Sequence, residues 1–599
     1  MSVGNPRTGS GRRSGSGMTG SRFAVRSAPA VLLALWACTA PPAPEQPAKS
    51  AAREIAGGST EPVLAPAPVA VAGGIHVVDP AYRLTTLVPP SPLRGCYGLT
   101  AGADGALYVA HVVANAISRI DVDTSVVTPF VPAHAGVFLP DDLAADGDGN
   151  LYVTSTTPYG GEVHRIEPNG RRTVIARGLR SPNGIAFDRR RGRLFVDESI
   201  WSSRVLEIDP SGAKEPRVVV AAGALGSPNG FGIDSKGRLI VPDVTAGTIV
   251  AIDPDDGRFS TLIRGLTTPT AVRVADDDEA YVVEAATGRV YRVDLERRKK
   301  YILARLPPGT DSLAIVPDGR LYVSSAAEST VYEVAADGSG EYHPLVPTGM
   351  NSPLSIVADG ERVLVSDAGV VRSVAADGAL APTEINPWPP HGMPIPFAMA
   401  AGERGEVYWS DWLDDAVAVG RPDTGEFRLL AKLETPVGLA SDGAGRVYVA
   451  EYLAGRVTAV ERRNGAKRMI AKDLAGPIAL ALDGAALYVA ESSAARVTRI
   501  ELATGRRVTV ISGAIAKPAA IALDGARGLL VLDAATRRLV RVDLETSRMT
   551  VVAEDLPVQV RAYGSRESVE VPAAMMVSPD GDVYLGGADG SVIELERTE

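Results

Sequence analysis

The sequence has little of several residue types, and each shortage excludes a class of protein. Two cysteines in 599 residues cannot staple a disulfide scaffold. There are 61 Lys and Arg against 71 Asp and Glu, without a basic block in the main body, so nucleic acid is not expected as a partner. The one marked apolar run holds about ten residues, too few to cross ~30 Å of hydrocarbon. The chain is nevertheless 45% hydrophobic, which is enough to bury a large core, and its 62 Gly and 44 Pro favour turns over helices.

The N-terminal segment predicts export. Residues 1–26 contain Gly, Ser and Arg but no acidic side chain, as in a basic n-region, and the short apolar run follows them. That run ends in Leu-Trp-Ala-Cys at Cys38, which resembles the lipoprotein box whose cysteine is lipidated. An ordinary cleaved signal is the alternative, and Met1 and Met18 are both candidate starts. We expect residues 1–38 to be a signal peptide with a lipidated Cys38.

A Pro- and Ala-rich segment separates this signal from the main body. Residues 39–72 have the composition of an extended, semi-rigid tether. We expect an exported protein, either a lipoprotein of the bacterial periplasm or outer membrane, or a secreted one. It would contact the membrane only through its N-terminal lipid, and we expect a monomer.

Twelve copies of one pattern fill the main body. Each copy has a leading residue, usually Pro, and then short apolar runs separated by turns such as Asp-Gly. Four short β-rich runs with a period of about 40–45 residues are typical of a propeller blade. Successive copies are 40 to 46 residues apart, except that the last interval is 54 and carries an insertion at 559–571. The leading residues are Cys96, Pro140, Pro182, Pro228, Pro269, Thr310, Pro353, Pro396, Pro436, Pro477, Pro518 and Pro572.

The residue after each leading residue, here called the hub residue, begins the strand that faces a propeller axis. The first six hub residues are polar and the last six are apolar, which predicts an all-β fold of two six-bladed β-propellers in tandem. Residues 73–346 would form the ring with a polar axis, and residues 347–599 the ring with an apolar axis. A seven-plus-five division is the alternative, and the strand-like residues 74–88 could complete either ring. The hub residues are Tyr97, Asp141, Asn183, Asn229, Thr270 and Asp311, then Leu354, Phe397, Val437, Ile478, Ala519 and Ala573.

Four hub residues of the first six carry carboxylate or amide oxygens: Asp141, Asn183, Asn229 and Asp311. Hard divalent cations, Ca²⁺ above all, bind six to eight oxygens of this mixed kind. The absence of His and Cys from the hub residues argues against zinc. We predict a divalent-cation site on these four residues, and a water-filled channel lined by turn-forming Asn and Asp is the alternative.

Three segments carry a resemblance to a known family. They are 139–144 (Leu-Pro-Asp-Asp-Leu-Ala), 181–187 (Ser-Pro-Asn-Gly-Ile-Ala-Phe) and 227–233 (Ser-Pro-Asn-Gly-Phe-Gly-Ile). They resemble segments of the regucalcin (senescence marker protein)/gluconolactonase/strictosidine-synthase-like family, and the repeats as a whole resemble NHL-type six-bladed propellers. The resemblance implies a divalent metal on Asp141, Asn183 and Asn229, together with lactone-hydrolase activity.

The chain departs from that family at two places. The family has a glutamate where this chain has Tyr97, and an aspartate where it has Asn229. An amide cannot accept a proton at neutral pH, so a catalytic base would have to be Asp141 or Asp311. The resemblance predicts a metal-dependent lactone or ester hydrolase, whereas the two departures favour its alternative. The alternative is a non-enzymatic module that recognises a small molecule, a protein or a glycan.

Acidic residues also recur just after the second strand of many copies, in both predicted rings. This regularity favours a structural role, in which the carboxylates accept hydrogen bonds from neighbouring backbone N–H groups. Cys96 is expected to be a buried, unreactive thiol. The recurring acids are Asp197, Asp243, Glu284, Asp367, Asp411, Glu451, Glu491 and Asp533.

Overall fold

A computed structural model describes residues 74–598, except 134, 157–159, 200–201, 276, 360–361, 382–394, 559–560 and 564–568. The predicted signal peptide 1–38 with Cys38, and the predicted tether 39–72, lie outside the described residues. Within this part of the chain the secondary structure is β-strand, apart from one 3₁₀ turn at Ser492–Ala494. The described part contains no helix with the length and hydrophobicity needed to cross a bilayer.

Two short strands open the described chain, and six antiparallel four-stranded sheets follow them. Within each sheet, consecutive strands are neighbours. The opening strands are β1 (His76–Val77) and β2 (Tyr82–Val88). Sheet 1 has β3 (Cys96–Ala101), β4 (Leu107–His111), β5 (Ala116–Ile120) and β6 (Val127–Val131); sheet 2 has β7 (Pro140–Ala145), β8 (Leu151–Ser155), β9 (Gly161–Ile166) and β10 (Arg172–Leu179); sheet 3 has β11 (Pro182–Asp188), β12 (Arg193–Glu198), β13 (Arg204–Ile208) and β14 (Arg217–Val220). Sheet 4 has β15 (Gly232–Ile233), β16 (Leu239–Asp243), β17 (Thr248–Ile252) and β18 (Phe259–Ile263); sheet 5 has β19 (Pro269–Val274), β20 (Glu279–Glu284), β21 (Arg289–Asp294) and β22 (Lys299–Arg305); sheet 6 has β23 (Thr310–Ile315), β24 (Leu321–Ser325), β25 (Thr330–Val334) and β26 (Tyr342–Pro344).

Six further sheets and a separate hairpin follow. Sheet 7 has β27 (Pro353–Asp359), β28 (Arg362–Asp367) and β29 (Val370–Val374); sheet 8 has β30 (Ala398–Ala401), β31 (Val407–Asp411), β32 (Ala416–Arg421) and β33 (Glu426–Lys432); sheet 9 has β34 (Pro436–Ser441), β35 (Arg446–Glu451), β36 (Arg456–Glu461) and β37 (Lys467–Ala471). Sheet 10 has β38 (Pro477–Asp483), β39 (Ala486–Glu491), β40 (Arg496–Glu501) and β41 (Arg507–Ser512); sheet 11 has β42 (Pro518–Asp524), β43 (Gly528–Asp533), β44 (Arg538–Asp543) and β45 (Met549–Glu554). The hairpin has β46 (Arg561–Tyr563) and β47 (Val569–Val571), and sheet 12 has β48 (Met575–Val577), β49 (Val583–Gly586) and β50 (Val592–Arg597).

The sheets pack face to face, and within sheets 1–6 and within sheets 7–12 the first strand of each sheet lies against the first strand of the next. The apolar clusters therefore lie between neighbouring sheets, as where Ile249 of sheet 4 packs with Val282 and Val293 of sheet 5. The β-branched and aromatic runs of the middle strands suit burial on both faces. Strand β23 also contacts β3, and β27 contacts both β30 and β48. This radial arrangement of small antiparallel sheets is a β-propeller architecture, so the predicted all-β propeller fold is confirmed.

The two opening strands join the sheets at the far end of the chain. Strand β2 pairs with β50 as the outer strand of sheet 12, and β1 pairs with β45 at the edge of sheet 11. The predicted first propeller, 73–346, included these strands, whereas their hydrogen-bonded partners belong to the C-terminal half. The pairing covers the backbone edges of β45 and β50, which would otherwise be open.

The chain enters sheets 1–6 after β2, which pairs with the C-terminal half, and leaves them for sheet 7. Asn351 links these two connecting segments. This side chain is 2% exposed. Its Oδ1 accepts hydrogen bonds from the Gly95 N–H and the Ser329 hydroxyl, and its Nδ2 donates to the Ala326 carbonyl at 2.8 Å. Its own N–H donates to Asp367 Oδ2 at 2.9 Å, in sheet 7. One buried amide thus ties sheet 6 to sheet 7.

Candidate functional site

A β-bulge places each hub residue of the N-terminal half. In sheet 1 the leading residue Cys96 pairs with His111, and the next paired residue is Leu99, opposite Val109. A bulge takes the intervening residues out of the ladder and re-aims their side chains. The six polar hub side chains are all buried, with exposed fractions of 7% for Tyr97, 8% for Asp141, 4% for Asn183, 5% for Asn229, 2% for Thr270 and 9% for Asp311.

Asp141 and Asn183 are in direct contact. The Asn183 Nδ2 donates to Asp141 Oδ2 at 3.1 Å, and the Thr156 hydroxyl donates to the same oxygen, also at 3.1 Å. The Asn183 Oδ1 is buried without a hydrogen-bond partner in the described protein. A buried acceptor of this kind needs a donor or a cation, because its desolvation is otherwise uncompensated.

Asp311 and Tyr97 share the environment of Asp141. Burial raises the pKa of Asp311 well above its usual range, and the Asp141 and Asp142 carboxylates raise it further. Burial together with the Asp142 carboxylate raises the pKa of Asp141 to about 7. Burial, Asp311 and Asp141 likewise raise the pKa of the Tyr97 phenol. These groups are therefore close enough to act on one another's charge.

The other two hub residues behave differently. The Asn229 Oδ1 accepts a hydrogen bond from the N–H of its own neighbour, Gly230, at 2.8 Å. This bond commits the oxygen to the local turn, so the contacts of Asn229 do not join it to the other predicted site residues. The Thr270 hydroxyl is buried without a hydrogen-bond partner among the described residues. The structure thus joins Asn183 to Asp141 by a hydrogen bond and places Asp311 within the influence of the Asp141 charge, whereas among the described contacts no hydrogen bond joins the Asn229 side chain to them.

Two charged residues that the sequence analysis missed lie beside this group. The Arg273 Nη2 donates to Asp142 Oδ1 at 2.8 Å, and the Ile185 N–H donates to Asp142 Oδ2 at 3.3 Å. Asp142 is 3% exposed, so its charge is buried but paired. The two adjacent aspartates at 141–142 could have indicated Asp142, because a bulge turns adjacent side chains to different sides of the strand. Among the described residues, Arg273 forms its ion pair with Asp142 and not with Asp141 or Asp311.

Seven of the eight recurring acids have the predicted structural role, because each accepts hydrogen bonds from the backbone that precedes the first strand of its sheet. Asp243, for example, accepts the N–H groups of Gly226 and Ser227 at 2.8 and 3.0 Å. Such bonds satisfy donors that the bulge leaves outside the ladder. The other six are Glu284, Asp367, Asp411, Glu451, Glu491 and Asp533.

The prediction for Asp197 is wrong, because its neighbour Glu198 has that role. Glu198 accepts the Arg180 N–H at 2.8 Å, and it is Glu198 that pairs with the leading residue Pro182. Asp197 instead lies fully buried against Gly184. A Cβ atom added to Gly184 would come within 2.4 Å of Asp197 Oδ2. Burial raises the pKa of Asp197 well above its usual range, which favours the protonated carboxyl.

Hydroxyl side chains occupy the position of Asp197 in other sheets. The Thr154 hydroxyl in sheet 2 donates to the carbonyl of Asn183 at 2.7 Å, and the Ser324 hydroxyl in sheet 6 donates to that of Tyr97 at 2.5 Å. Each therefore bonds the hub residue of the next sheet. A protonated Asp197 has the same capacity toward the hub residue of sheet 4.

The hub residues of the C-terminal half are apolar and nearly all buried. Leu354, Phe397 and Val437 are 3%, 1% and 1% exposed, and they pack in one cluster with Trp412 and with Val571 of the hairpin. The insertion at 559–571 therefore supplies apolar cover for this half through β47. Hydrocarbon at these positions offers no ligand to a cation.

The described residues contain no group of three or more His, Cys, Asp or Glu side chains arranged to hold a metal ion. A site at the hub would therefore depend on amide and carboxylate oxygens together, from Asp141, Asn183 and Asp311. Cys96 is fully buried, and burial raises the pKa of its thiol, as expected for an unreactive cysteine.

Comparisons with known proteins agree with the motifs in the N-terminal half. Residues 70–274 match the family model of the SMP-30/gluconolactonase/LRE-like region, and residues 246–509 match that of the outer membrane protein assembly factor BamB. A gluconolactonase of Zymomonas mobilis is 29% identical over 210 residues, which are 30% of this chain and 57% of that protein. The pentonolactonase XacC of Haloferax volcanii is 28% identical over 155 residues, which are 24% of this chain and 53% of that protein. The chain thus spans little more than half the length of these curated relatives.

Among solved structures, a gluconolactonase from Xanthomonas campestris is 16% identical, with 44% of this chain and 95% of that chain covered and a TM-score of 0.35. A GH74 xyloglucanase from the same organism is 14% identical, with 86% and 100% covered and a TM-score of 0.46. Fold and motifs define the protein as a β-propeller protein. Its residues 70–274 are similar to the SMP-30/gluconolactonase-like region, as the Pro-Asn-Gly segments predicted.

Proposed function

We propose that the chain is an exported protein of two six-bladed β-propellers, whose N-terminal ring is a divalent-cation-dependent lactone hydrolase. The ring division is supported by the contact of β23 with β3 and by that of β27 with β48. We assign residues 96–344 to the first ring, and residues 353–597 with β1 and β2 to the second. The second ring then closes on strands from both ends of the chain.

One observation carries the enzymatic part of this proposal. The segment that matches the gluconolactonase-like family, 70–274, contains Asp141 and Asn183, which are buried and hydrogen-bonded to each other. The two curated relatives are a gluconolactonase and a pentonolactonase, so a sugar lactone is the substrate class we propose. Residues far apart in the sequence meet at a buried polar group, which is typical of a binding or catalytic site.

The residues present fit a hard cation. The Asp141 and Asp142 carboxylates both raise the pKa of Asp311, and Arg273 is paired with Asp142 rather than with Asp141 or Asp311. A divalent cation, most simply Ca²⁺, would balance the two remaining carboxylates and would accept the unpartnered Asn183 Oδ1 as a ligand. Asn229 was predicted as a fourth ligand; its Oδ1 accepts the Gly230 N–H and has one further lone pair for a cation.

A bound cation would polarise the lactone carbonyl and lower the pKa of a water molecule. The protein groups divide the remaining work. Asp141 Oδ2 already accepts hydrogen bonds from Asn183 and Thr156, so Asp141 acts as a fixed ligand. Among the described contacts no hydrogen bond occupies the Asp311 carboxyl, unlike that of Asp141, so Asp311 is the better candidate for the base that takes the proton. The buried Tyr97 ring lies where the family has a glutamate and excludes water from this side.

Calorimetric titration of Ca²⁺, Mg²⁺ and Mn²⁺ into the purified protein, with lactone hydrolysis measured in parallel, tests the proposal. We expect binding tighter than millimolar, and loss of both binding and hydrolysis in Asp141→Ala and Asp311→Ala. Asp423→Asn, which changes an exposed acid of the second ring, is the control and should change neither. Absence of cation binding in the wild type contradicts the proposal. Binding without turnover on sugar and aromatic lactones assigns the ion a structural role and favours a recognition module.

Export and lipidation are proposed from the sequence alone. Residues 1–38 have the composition of a signal, and Cys38 ends its apolar run. Expression in a bacterial host with labelled fatty acid should give a labelled, membrane-associated protein. Cys38→Ser should abolish the label, and a wild-type protein that carries no label contradicts lipidation.

A further inference from the structure

Arg273 stands at a position where no other repeat has a charge. It is the fourth residue after the leading residue of its copy, in β19, and its side chain is 14% exposed. Arg273 is therefore a long basic side chain at a position that is small or apolar in the other repeats. The equivalent residues are Thr100, Ala144, Ala186, Gly232 and Ala314 in the N-terminal half, and Val357, Ala400, Ala440, Ala481, Ala522 and Met576 in the C-terminal half.

The guanidinium group of Arg273 contacts four sheets besides its own. Its Nη2 donates to Asp142 Oδ1 in sheet 2 at 2.8 Å and to the Ser312 hydroxyl in sheet 6 at 3.1 Å. The same nitrogen lies 3.5 Å from the Leu99 carbonyl in sheet 1, and Nη1 donates to the Phe231 carbonyl beside sheet 4 at 3.3 Å. One planar group can meet five sheets only where their first strands converge, so Arg273 lies across the centre of this half.

The two side chains held by Nη2 directly follow the two candidate site carboxylates. Asp142 follows Asp141, and Ser312 follows Asp311, and both pairs lie in bulges where the ladder does not fix the backbone. A bond to the side chain of the following residue restricts the torsions of the bulge. A single nitrogen atom therefore links the two bulges that carry Asp141 and Asp311.

We propose that Arg273 is a positioning residue of the hub: by holding Asp142 and Ser312 on one nitrogen, it sets the separation of the Asp141 and Asp311 carboxylates for a divalent cation. This inference rests on the proposed function for the identity of its ligand. The placement of the carboxylates is a property of the protein itself, and it can be measured without the cation.

The sign of the effect separates positioning from simple electrostatics. Removal of a positive charge near a cation site should tighten cation binding if Arg273 acts only through its charge. If it positions the carboxylates, its removal should weaken binding. The double variant Arg273→Gln, Asp142→Asn keeps the net charge of the hub unchanged and removes both members of the ion pair, so its affinity reports on geometry.

Calorimetric titration of CaCl₂ into the folded double variant should give an affinity at least tenfold weaker than that of the wild type. Arg189→Gln is the matched control, because Arg189 also reaches two other sheets, through the carbonyls of Ala145 and Ala101, without touching a residue that follows a site carboxylate. It should bind Ca²⁺ as the wild type does. An affinity of the double variant within twofold of the wild type, or tighter, overturns the inference.

Crystal structures of the cation-free wild type and double variant provide a second measurement. We expect the carboxylates of Asp141 and Asp311 to move relative to each other by more than 1 Å, well beyond the tolerance of about 0.2 Å in a metal–ligand distance. Superposition of both carboxylates within coordinate error overturns the inference. A wild type that binds no cation but shows this movement in the variant contradicts the proposed function and leaves the positioning role intact.

Discussion

A charge network around Asp524 holds the N-terminal strands to the C-terminal half. The Asp524 carboxylate is 3% exposed, and it pairs with Arg541 Nε at 2.5 Å and with Arg597 Nη1 at 2.9 Å. Arg541 also pairs with Asp79 at 2.8 Å and donates to the Tyr82 hydroxyl at 2.8 Å. Asp524→Ala therefore leaves two arginines without their common partner and loosens the attachment of β2.

The exposure of the partners determines the size of the effect. Removing one member of a buried ion pair costs about 3–5 kcal/mol. The two arginine side chains are 23% and 32% exposed, so water recovers part of the loss. We therefore expect Asp524→Ala to lower the free energy of unfolding by about 3 kcal/mol, at the lower end of that range. Glu501→Ala removes an exposed pair with Arg506 and should cost less than about 1 kcal/mol.

Urea unfolding, monitored by tryptophan fluorescence, measures this loss. Trp409 and Trp412 are both buried in the C-terminal half, where the network lies. Limited proteolysis reports separately on the attachment of β2: residues 74–95 should be cleaved faster in Asp524→Ala than in Glu501→Ala. Equal unfolding midpoints for the two variants would refute the reasoning. So would a loss below 1 kcal/mol in Asp524→Ala, since the network would then contribute no more than a surface pair.

Two further predictions concern buried groups of the N-terminal half. Burial and the Arg94 charge lower the pKa of His111 to about 3, so protonation of this side chain opposes folding. The stability that the neutral His111 contributes is complete above pH 6.5 and falls as the pH drops toward 3. The loss is about 2 kcal/mol at pH 5. Chemical denaturation at pH 7 and pH 5 should show a loss about 2 kcal/mol larger in the wild type than in His111→Gln, which keeps the buried His164, and parallel pH dependence in both contradicts the prediction. Asp197→Thr places at this position the side chain that Thr154 has in sheet 2, so it should hold or raise the free energy of unfolding at pH 7. A loss above 1 kcal/mol means that the carboxyl itself is required.

The repeat made the strand order predictable from the sequence. Apolar runs of period two and Asp-Gly turns are local signals, and they located the sheets and the leading residues. The Gly105 turn illustrates this, because its φ of 78° is accessible to glycine at little cost. The partners of β1 and β2 could not be predicted, because an open edge in either ring offers the same backbone groups to a strand.

The candidate site was predictable in part, for a similar reason. The hub position marked Asp141, Asn183 and Asp311 because the same bulge follows the leading residue in sheets 2, 3 and 6. Asn229 occupies the same position, but its side chain satisfies its own turn, which spacing cannot reveal. The assignment of Asp197 failed because two acids are adjacent and only the strand register distinguishes them.

Crystals of the wild-type protein soaked in Mn²⁺, with anomalous differences collected near the manganese edge, test the central claim most directly. We expect one strong peak in the N-terminal half, about 2.0–2.6 Å from oxygens of Asp141 and Asp311. The same soak of Asp141→Ala crystals should lack that peak. A wild-type map without a peak between these carboxylates, or with its peak elsewhere in the molecule, contradicts the account.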